Sequence, residues 1–193
     1  MIFLACARLP KTHLFLALIA GLTALGLVPR ATLEIPGGER RLDRIFALIQ
    51  QCPYSVHDLS RVEFDPNWPK TPRFNMPLEL GLTIALQKTV SPDHKWFVFE
   101  AKPRRIQKSM SDLDGTDVYV HKGRPSVLFS ELANAFARSE RKATVQQMQR
   151  VFAGLKLELP RLTREAGTRP CFTARVFEDL RVVALRLSNR YVV

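Results

Sequence analysis

Two carboxylates in the first half of the chain lie at predicted positions where α/β proteins bind ligands and stabilise anions. Asp58 lies near the end of a predicted strand at Tyr54–Leu59, and Glu79 lies near the start of a predicted helix at Met76–Lys88. The carboxyl ends of strands in α/β proteins hold ligands, and the dipole at a helix start favours an anion. Glu79 and Asp58 are therefore the candidate catalytic residues.

The segment around Glu79 contains signals for a helix start and for a close contact. Pro77 fixes the backbone for helix entry, and Asn75 can cap the first exposed amides. Gly81 follows in the helix interior. Glycine costs about 1 kcal/mol there relative to alanine, so we expect a ligand or another backbone to pack against it. The structural alternative is that Glu79 only bonds the amide of Met76 within the first helical turn.

The predicted strand end offers polar side chains on both faces of the sheet. Strand alternation places Asp58 with Val56 on one face, and Ser55 with His57 on the other. Asp58 can hold a substrate hydroxyl or can cap the turn that follows the strand. His57 can contact a ligand or can be a partly buried imidazole with its hydrogen bonds satisfied.

Several cations near these segments are candidates for binding substrate. Arg61 and Arg73 flank a proline-rich loop and suit phosphate oxygens, although both can equally be surface arginines. Arg8 follows the first predicted strand and Lys108 follows the fourth, on the side of the sheet where a ligand is expected. The full candidate set for substrate binding is Arg8, His57, Ser60, Arg61, Arg73, Asn75 and Lys108.

The order of these motifs resembles a known superfamily. The strand end Asp58-Leu-Ser60, followed by Asn75-x-Pro-x-Glu79-Leu-Gly81, is similar to the superfamily that joins nucleoside 2-deoxyribosyltransferases and TIR-type domains. Within it, the pattern most resembles TIR-like nucleotide-binding proteins of bacteria. The resemblance covers roughly residues 1–138, and residues 54–81 carry its motifs. It implies a nucleotide ligand, a homo-oligomer and a role in anti-phage defence with a partner protein.

The resemblance also implies a reaction. In that superfamily a glutamate on this helix attacks or stabilises the anomeric carbon of an N-glycosidic bond, and an aspartate from the preceding strand seats the sugar. The matching positions are Glu79 and Asp58. The implied activity is hydrolysis of NAD to nicotinamide and ADP-ribose, with NAD as substrate and no cofactor. Deoxyribosyl transfer and a non-catalytic module for nucleotide sensing or protein interaction are the alternatives.

Strands that alternate with helices predict a parallel sheet with right-handed crossovers. The predicted strands are Ile2–Cys6, Thr32–Ile35, Tyr54–Leu59, Trp96–Ala101 and Val118–His121. The predicted helices span residues 14–27, 40–52, 76–88, 126–138, 144–157 and 173–191, with a short helix and a turn within 104–114. Five strands indicate a flavodoxin-like α/β fold of strand order 2-1-3-4-5. We expect a TIR-like α/β domain at residues 1–138 and a helical extension at residues 139–193, packed on it or forming an oligomer interface.

The net charge of +11 invites a nucleic-acid partner, but its distribution favours a solvated basic surface. Residues 1–100 hold 11 Lys and Arg against 9 Asp and Glu, whereas residues 101–193 hold 18 against 9. The excess is spaced along predicted helices with few aromatic residues, so a nucleic-acid footprint is the weaker interpretation. Attraction of an anionic nucleotide is a third interpretation.

The cysteines and histidines predict no metal site. Cys6, Cys52 and Cys171 are far apart and odd in number, and the four histidines supply no ligand cluster. Cysteines without paired spacing fit a reducing cytoplasm. We therefore expect a cytoplasmic protein.

The apolar stretch from His13 to Val28 has two interpretations. It is shorter than the roughly 20 residues that a transmembrane helix needs, and its two glycines fit a buried helix of an α/β sandwich. Positive charges before an apolar run are also typical of a secretory signal. We expect a core helix without a membrane partner, with a targeting or membrane segment as the alternative.

Overall fold

Alternating strands and helices build one parallel sheet in the computed structural model. The structure describes residues 1–5, 12–34, 40–60, 68, 71, 74–167 and 172–192. Its strands are β1 (Ile2–Ala5), β2 (Pro29–Arg30), β3 (Tyr54–Asp58), β4 (Lys95–Glu100) and β5 (Val118–Val120). Its helices are α1 (Thr12–Ala24), α2 (Arg41–Gln51), α3 (Asn75–Thr89), α4 (Arg105–Ser109), α5 (Pro125–Ala135), α6 (Val145–Glu165) and α7 (Ala174–Tyr191). The strand order β2-β1-β3-β4-β5 confirms the predicted α/β fold.

The two faces of the sheet pack against different helices, because successive residues of a strand point to opposite faces. Val56 and Phe99 pack in one apolar cluster with α1, α5, α6 and α7. Phe3 and Val98 pack in a second cluster with α2, α3 and α4. We call these sides the α1 face and the α3 face. Parallel pairing brings the carboxyl ends of β3, β4 and β5 to one edge, which is the carboxyl edge of the sheet.

Helix α1 is the predicted core helix of the apolar stretch. Every residue from Leu14 to Leu25 is buried. A Cβ atom at Gly21 would lie 2.5 Å from a methyl of Leu132, so glycine allows α1 and α5 to approach closely. In the part of the chain that the structure describes, no helix combines the length and apolar character needed to cross a membrane.

The predicted second strand at Thr32–Ile35 is wrong. β2 lies earlier, at Pro29–Arg30, and Thr32–Glu34 forms a turn of 3₁₀ helix. The Glu34 carboxylate accepts the Ala31 amide at 2.6 Å and the Nε–H of Arg30 at 2.6 Å. These local bonds fold the segment back on itself and prevent it from extending along β1.

One helical detail also differs from the sequence prediction. Helix α6 continues through Pro160 to Glu165, past its predicted end at Leu157. Ion pairs on the surface stabilise the last turns of α6, where Arg161 bonds Glu158 and Glu165.

The segment predicted as a helical extension, residues 139–193, supplies α6 and α7. Both helices pack on the α1 face and share its apolar cluster, with Met148 and Leu155 from α6 and Phe177 and Leu180 from α7. Thr144 starts α6 with a reciprocal capping box to Gln147, which satisfies the exposed amides at that end. These contacts make α6 and α7 part of the layer that covers α1.

Candidate functional site

Asp58 ends β3 at the carboxyl edge, where its carboxylate closes the turn that follows. The side chain is 5% exposed, and its Oδ1 accepts the Ser60 amide at 2.9 Å and the Ser60 hydroxyl. Because it alternates with His57 and matches Val56, Asp58 belongs to the α1 face of the strand. The turn-capping role considered from the sequence is thus present, and the carboxylate is held in one orientation.

His121 joins Asp58 from the end of β5, although the sequence analysis did not select it. Its Nδ1 accepts the Gly123 amide at 3.0 Å, so its Nε2 carries the proton when the ring is neutral. That Nε2 lies 3.0 Å from Ser60 Oγ and 3.5 Å from Asp58 Oδ1. The sequence signal that could have identified His121 is a histidine at the end of the fifth strand, followed by Lys-Gly. In the structure both Lys122 and Gly123 have positive φ and form a turn.

The electrostatics of this cluster keep Asp58 ionised. Burial raises the pKa of Asp58, but the hydrogen bonds from His121 and Ser60 outweigh that effect and hold the pKa below 3.8. A carboxylate with several donors is stabilised in its charged form. The cluster therefore presents a fixed negative charge at the carboxyl edge.

The same geometry argues against Ser60 as a nucleophile. A serine nucleophile gives its proton to an unprotonated imidazole nitrogen. The nitrogen of His121 that faces Ser60 is the protonated Nε2, because Nδ1 accepts from Gly123. The Ser60 hydroxyl instead donates to Asp58. Ser60 and His121 therefore orient the Asp58 carboxylate, and His121 does not activate the Ser60 hydroxyl.

Glu79 lies on α3 one turn inside the helix, because α3 begins at Asn75 and not at Met76 as predicted. Met76, Leu80 and Thr83 are buried on the same side of the helix, and this spacing turns Glu79 toward the sheet with only 3% exposure. Its Oε1 lies 3.5 Å from Nη2 of Arg41, the first residue of α2. Burial raises the pKa of Glu79 above 4.5, and Arg41 offsets only part of this effect.

The expected cap of α3 by Asn75 is wrong. The residue that precedes the helix is Phe74, no side chain within the described residues caps the helix, and Asn75 is exposed as the first helical residue. No described atom lies within 4 Å of the place where a Cβ of Gly81 would stand. Gly81 is on the exposed side of α3, so the close packing that we expected there is absent from the described residues.

His57 belongs to a buried hydrogen-bonded chain on the α3 face. Nδ1 of His94 lies 2.7 Å from the Cys52 carbonyl and must donate to it. Nε2 of His94 then accepts the Ser55 hydroxyl at 3.0 Å, and Ser55 Oγ accepts Nε2–H of His57 at 3.0 Å. This sequence of donors fixes the tautomer of both rings.

The chain leaves one atom of His57 unsatisfied. Its Nδ1 is a buried acceptor that has no hydrogen-bond partner among the residues that the structure describes. Burial, together with the neighbouring His94, lowers the pKa of His57 from 6.5 to about 3, so the ring is neutral. An unsatisfied buried polar atom costs about 1–3 kcal/mol. The ring of His57 therefore has a structural role. Only its Nδ1 is left to accept a hydrogen bond from a small donor.

The end of β4 is closed by a separate ion pair. Glu100 is 1% exposed, and its two oxygens accept from Nε and Nη2 of Arg105. Glu100 also accepts the Ala101 amide at 2.6 Å. This pair fixes the turn before α4. Lys108, a candidate from the sequence, is exposed on α4.

The candidate residues thus form two groups and not one. Asp58, Ser60 and His121 are joined by hydrogen bonds at the carboxyl edge, whereas Glu79 and Arg41 pair on the α3 face. No hydrogen bond or ion pair among the described residues links Glu79 to Asp58. Three further candidates, Arg8, Arg61 and Arg73, lie outside the described residues.

No cluster of three or more His, Cys, Asp or Glu side chains suited to a metal ion occurs among the described ranges. Comparison with known proteins found no family model that matches the chain, and no curated protein is significantly similar to it. The sequence and structure together establish an α/β fold with a parallel five-stranded sheet of order 2-1-3-4-5.

Proposed function

We propose that the chain binds a nucleotide at the carboxyl edge and hydrolyses its N-glycosidic bond, with NAD as the substrate and Glu79 as the catalytic carboxylate. Ligands of open α/β sheets lie beyond the carboxyl ends of the strands, near the point where the strand order reverses. That point lies between β1 and β3 in this sheet. Asp58 ends β3, and α3 follows β3 in the chain.

The observation that carries the proposal is the state of Glu79. A carboxyl group that is 3% exposed, has a raised pKa and contacts its counter-ion only at 3.5 Å is poorly stabilised as an anion. Such a group gains from a developing positive charge nearby. A sugar that acquires oxocarbenium character supplies that charge.

The reaction is balanced without a cofactor. The bond between ribose C1′ and the nicotinamide nitrogen breaks, and its electron pair leaves with nicotinamide, which becomes neutral. Glu79 stabilises the oxocarbenium ion electrostatically or by forming a covalent ester. Water then adds to C1′ and releases one proton, which gives ADP-ribose. The leaving group is already cationic and needs no general acid.

Asp58 is proposed to hold the ribose hydroxyls. Its Oδ1 accepts the Ser60 amide and hydroxyl. Its Oδ2 makes no hydrogen bond to any residue within the described ranges, and so can accept from a ligand. Because Asp58 and Glu79 lie toward opposite faces, the sugar must cross the end of β3 to contact both.

A second candidate function is nucleotide sensing or protein interaction without turnover. The observation in its favour is that Glu79 is closed off by Arg41 and by its own burial. Under this proposal a nucleotide binds the same edge, and assembly into a homo-oligomer or with a defence partner is the output. The third possibility, deoxyribosyl transfer, predicts turnover only when an acceptor base is present.

The test combines binding and turnover. Calorimetry with NAD and a panel of nucleotides measures binding, and chromatography measures release of nicotinamide at high protein concentration. We expect saturable NAD binding and nicotinamide release by the wild type. Binding without release supports the sensor. Absence of binding by folded protein refutes both proposals. Transfer of the sugar from an added deoxynucleoside to an acceptor base, without release of nicotinamide from NAD, supports the transferase.

A further inference from the structure

A groove opens at the amino edge of the sheet, at the opposite end of β3 from Asp58. It lies between residues 25–27, which follow α1, the end of α5 with the residues after it, and the first residues of β3 and β4. Its volume is about 590 Å³. This is within the range of roughly 300–1,000 Å³ for small-molecule sites. The groove is therefore large enough for a ligand of two or three rings.

Three aromatic side chains form one wall of this amino-edge groove. The rings of Phe97 and Phe136 have centroids 4.6 Å apart, and Tyr54 meets Phe136 edge-on at 6.0 Å. Aromatic faces of this kind bind planar rings by stacking and by apolar contact. The apolar part of an occupant is therefore expected to be aromatic.

Basic side chains at the groove form the polar part of the candidate binding site. Lys95 and Arg138 line the groove, and the side chain of neither makes a hydrogen bond or an ion pair with another residue in the described ranges. Arg141 also lines it, but bonds neutral acceptors at the end of α7, including the Val192 carbonyl at 2.6 Å. Among the described residues that line the groove, Glu140 is the one carboxylate, so positive charge predominates there.

The end of α5 does not by itself account for these charges. Basic residues often complement the negative end of a helix dipole, and Arg138 follows α5 directly. Lys95, however, comes from the first position of β4, where no helix ends. The carbonyls of Leu132 and Asn134 near the end of α5 already accept backbone amides from Phe136 and Ala137. The two side chains are therefore available to bind an anion beside the aromatic wall.

We propose that the amino-edge groove binds a small aromatic anion, with its ring against Phe97 and Phe136 and its acidic group between Lys95 and Arg138. The site is separate from the carboxyl edge and does not depend on the function proposed there. Tyr54 and Asp58 are the first and last residues of β3. The occupant would therefore contact the strand that also supports the carboxyl-edge cluster.

The probe for this site is anilinonaphthalene sulfonate, an aromatic anion whose fluorescence rises on binding, compared with the neutral phenylnaphthylamine. We expect saturable binding of the anion with one site per chain. The double variant Lys95→Thr/Arg138→Gln should weaken anion binding about tenfold. It should leave binding of the neutral amine unchanged. Ala137→Trp, on the exposed rim, should fill the groove and weaken both probes about tenfold or more.

The matched control is Lys88→Gln/Arg150→Gln, which removes two exposed cations from α3 and α6. It should bind the anion as the wild type does. Circular dichroism checks that each variant is folded. The proposal is refuted if folded wild type shows no saturable binding, if Ala137→Trp binds normally, or if the control weakens binding as much as the groove variant.

Discussion

Nη2 of Arg41 lies 3.5 Å from Oε1 of Glu79, and this contact joins the start of α2 to the second turn of α3. Arg41 is half exposed whereas the Glu79 side chain is only 4% exposed, so the pair lies where the buried α3 face meets solvent. The arginine offsets part of the cost of burying the carboxylate. It therefore sets the pH at which Glu79 becomes ionised.

The first prediction concerns the pH dependence of NAD hydrolysis. The reaction requires ionised Glu79, whose pKa is raised by burial, so activity should fall as pH drops through a pKa above 4.5. Arg41→Gln removes the partner that lowers this pKa, so the acid limb should move to higher pH. Rates of nicotinamide release across a pH series measure it. An unchanged acid limb in Arg41→Gln would contradict the assigned coupling.

A second prediction addresses the carboxyl-edge cluster and is independent of activity. His121→Gln and Ser60→Ala each remove a donor to Asp58. Both should raise the pKa of Asp58 toward its ordinary range, because each takes away a hydrogen bond that stabilises the charged form. Carboxyl carbon shifts in an NMR titration measure this pKa, and His13→Gln at an exposed position is the control. If the Asp58 resonance titrates identically in all variants, the cluster does not hold the carboxylate ionised.

Burial of neutral His57 should make the fold sensitive to acid. Its folded pKa is about 3, below the ordinary 6.5, so the unfolded chain binds a proton that the folded chain does not. Stability is then lost as pH falls below 6.5, by about 2 kcal/mol between pH 7 and pH 5 for this group alone. His94, whose pKa is also lowered, acts in the same direction.

The corresponding variant is His57→Gln, which cannot titrate in this range. Urea unfolding of wild type and variant at both pH values gives the two free-energy differences. We expect the variant to be less stable at neutral pH, because the bond to Ser55 is altered, but to lose less stability on acidification. An equal loss in both proteins would show that His57 is not the buried neutral group that the structure indicates.

Two glycines of the chain should respond oppositely to alanine. A Cβ at Gly21 would lie 2.5 Å from Leu132, so Gly21→Ala should destabilise the fold by about 1–3 kcal/mol. Gly81 is exposed with nothing described near it, so Gly81→Ala should stabilise α3 by up to about 1 kcal/mol. Thermal unfolding compares both variants. Stabilisation by Gly21→Ala, or a large loss from Gly81→Ala, would contradict the helix packing described above.

The sequence was sufficient to predict the sheet because its strands are short apolar runs separated by helices of ordinary length. The segment at Thr32–Glu34 was misassigned, because its conformation depends on side-chain bonds of Glu34 that a strand pattern does not reveal. Asp58 could be placed at the strand end from pattern alone. His121 could also be placed at the end of a strand, but its contact with Ser60, 61 residues away, depends on the parallel pairing of β3 with β4 and of β4 with β5.

The relation between the two carboxylates also required the structure. Strand alternation correctly separated Val56 from Ser55 and His57, which lie in different packing environments. The position of Glu79 on the α3 face follows from the buried side of α3, which Met76 and Leu80 define. Its partner Arg41 comes from α2, and the sequence pattern does not reveal how α2 and α3 pack against each other.

The central claim is tested most directly by the rate at which purified protein releases nicotinamide from NAD at high concentration. The wild type should produce nicotinamide and ADP-ribose in equal amounts, and Glu79→Gln should slow release by at least about a hundredfold while remaining folded and binding NAD. Glu165→Gln, on the exposed surface of α6, should match the wild type. Equal rates for Glu79→Gln and wild type would contradict the assignment of Glu79 as the catalytic carboxylate.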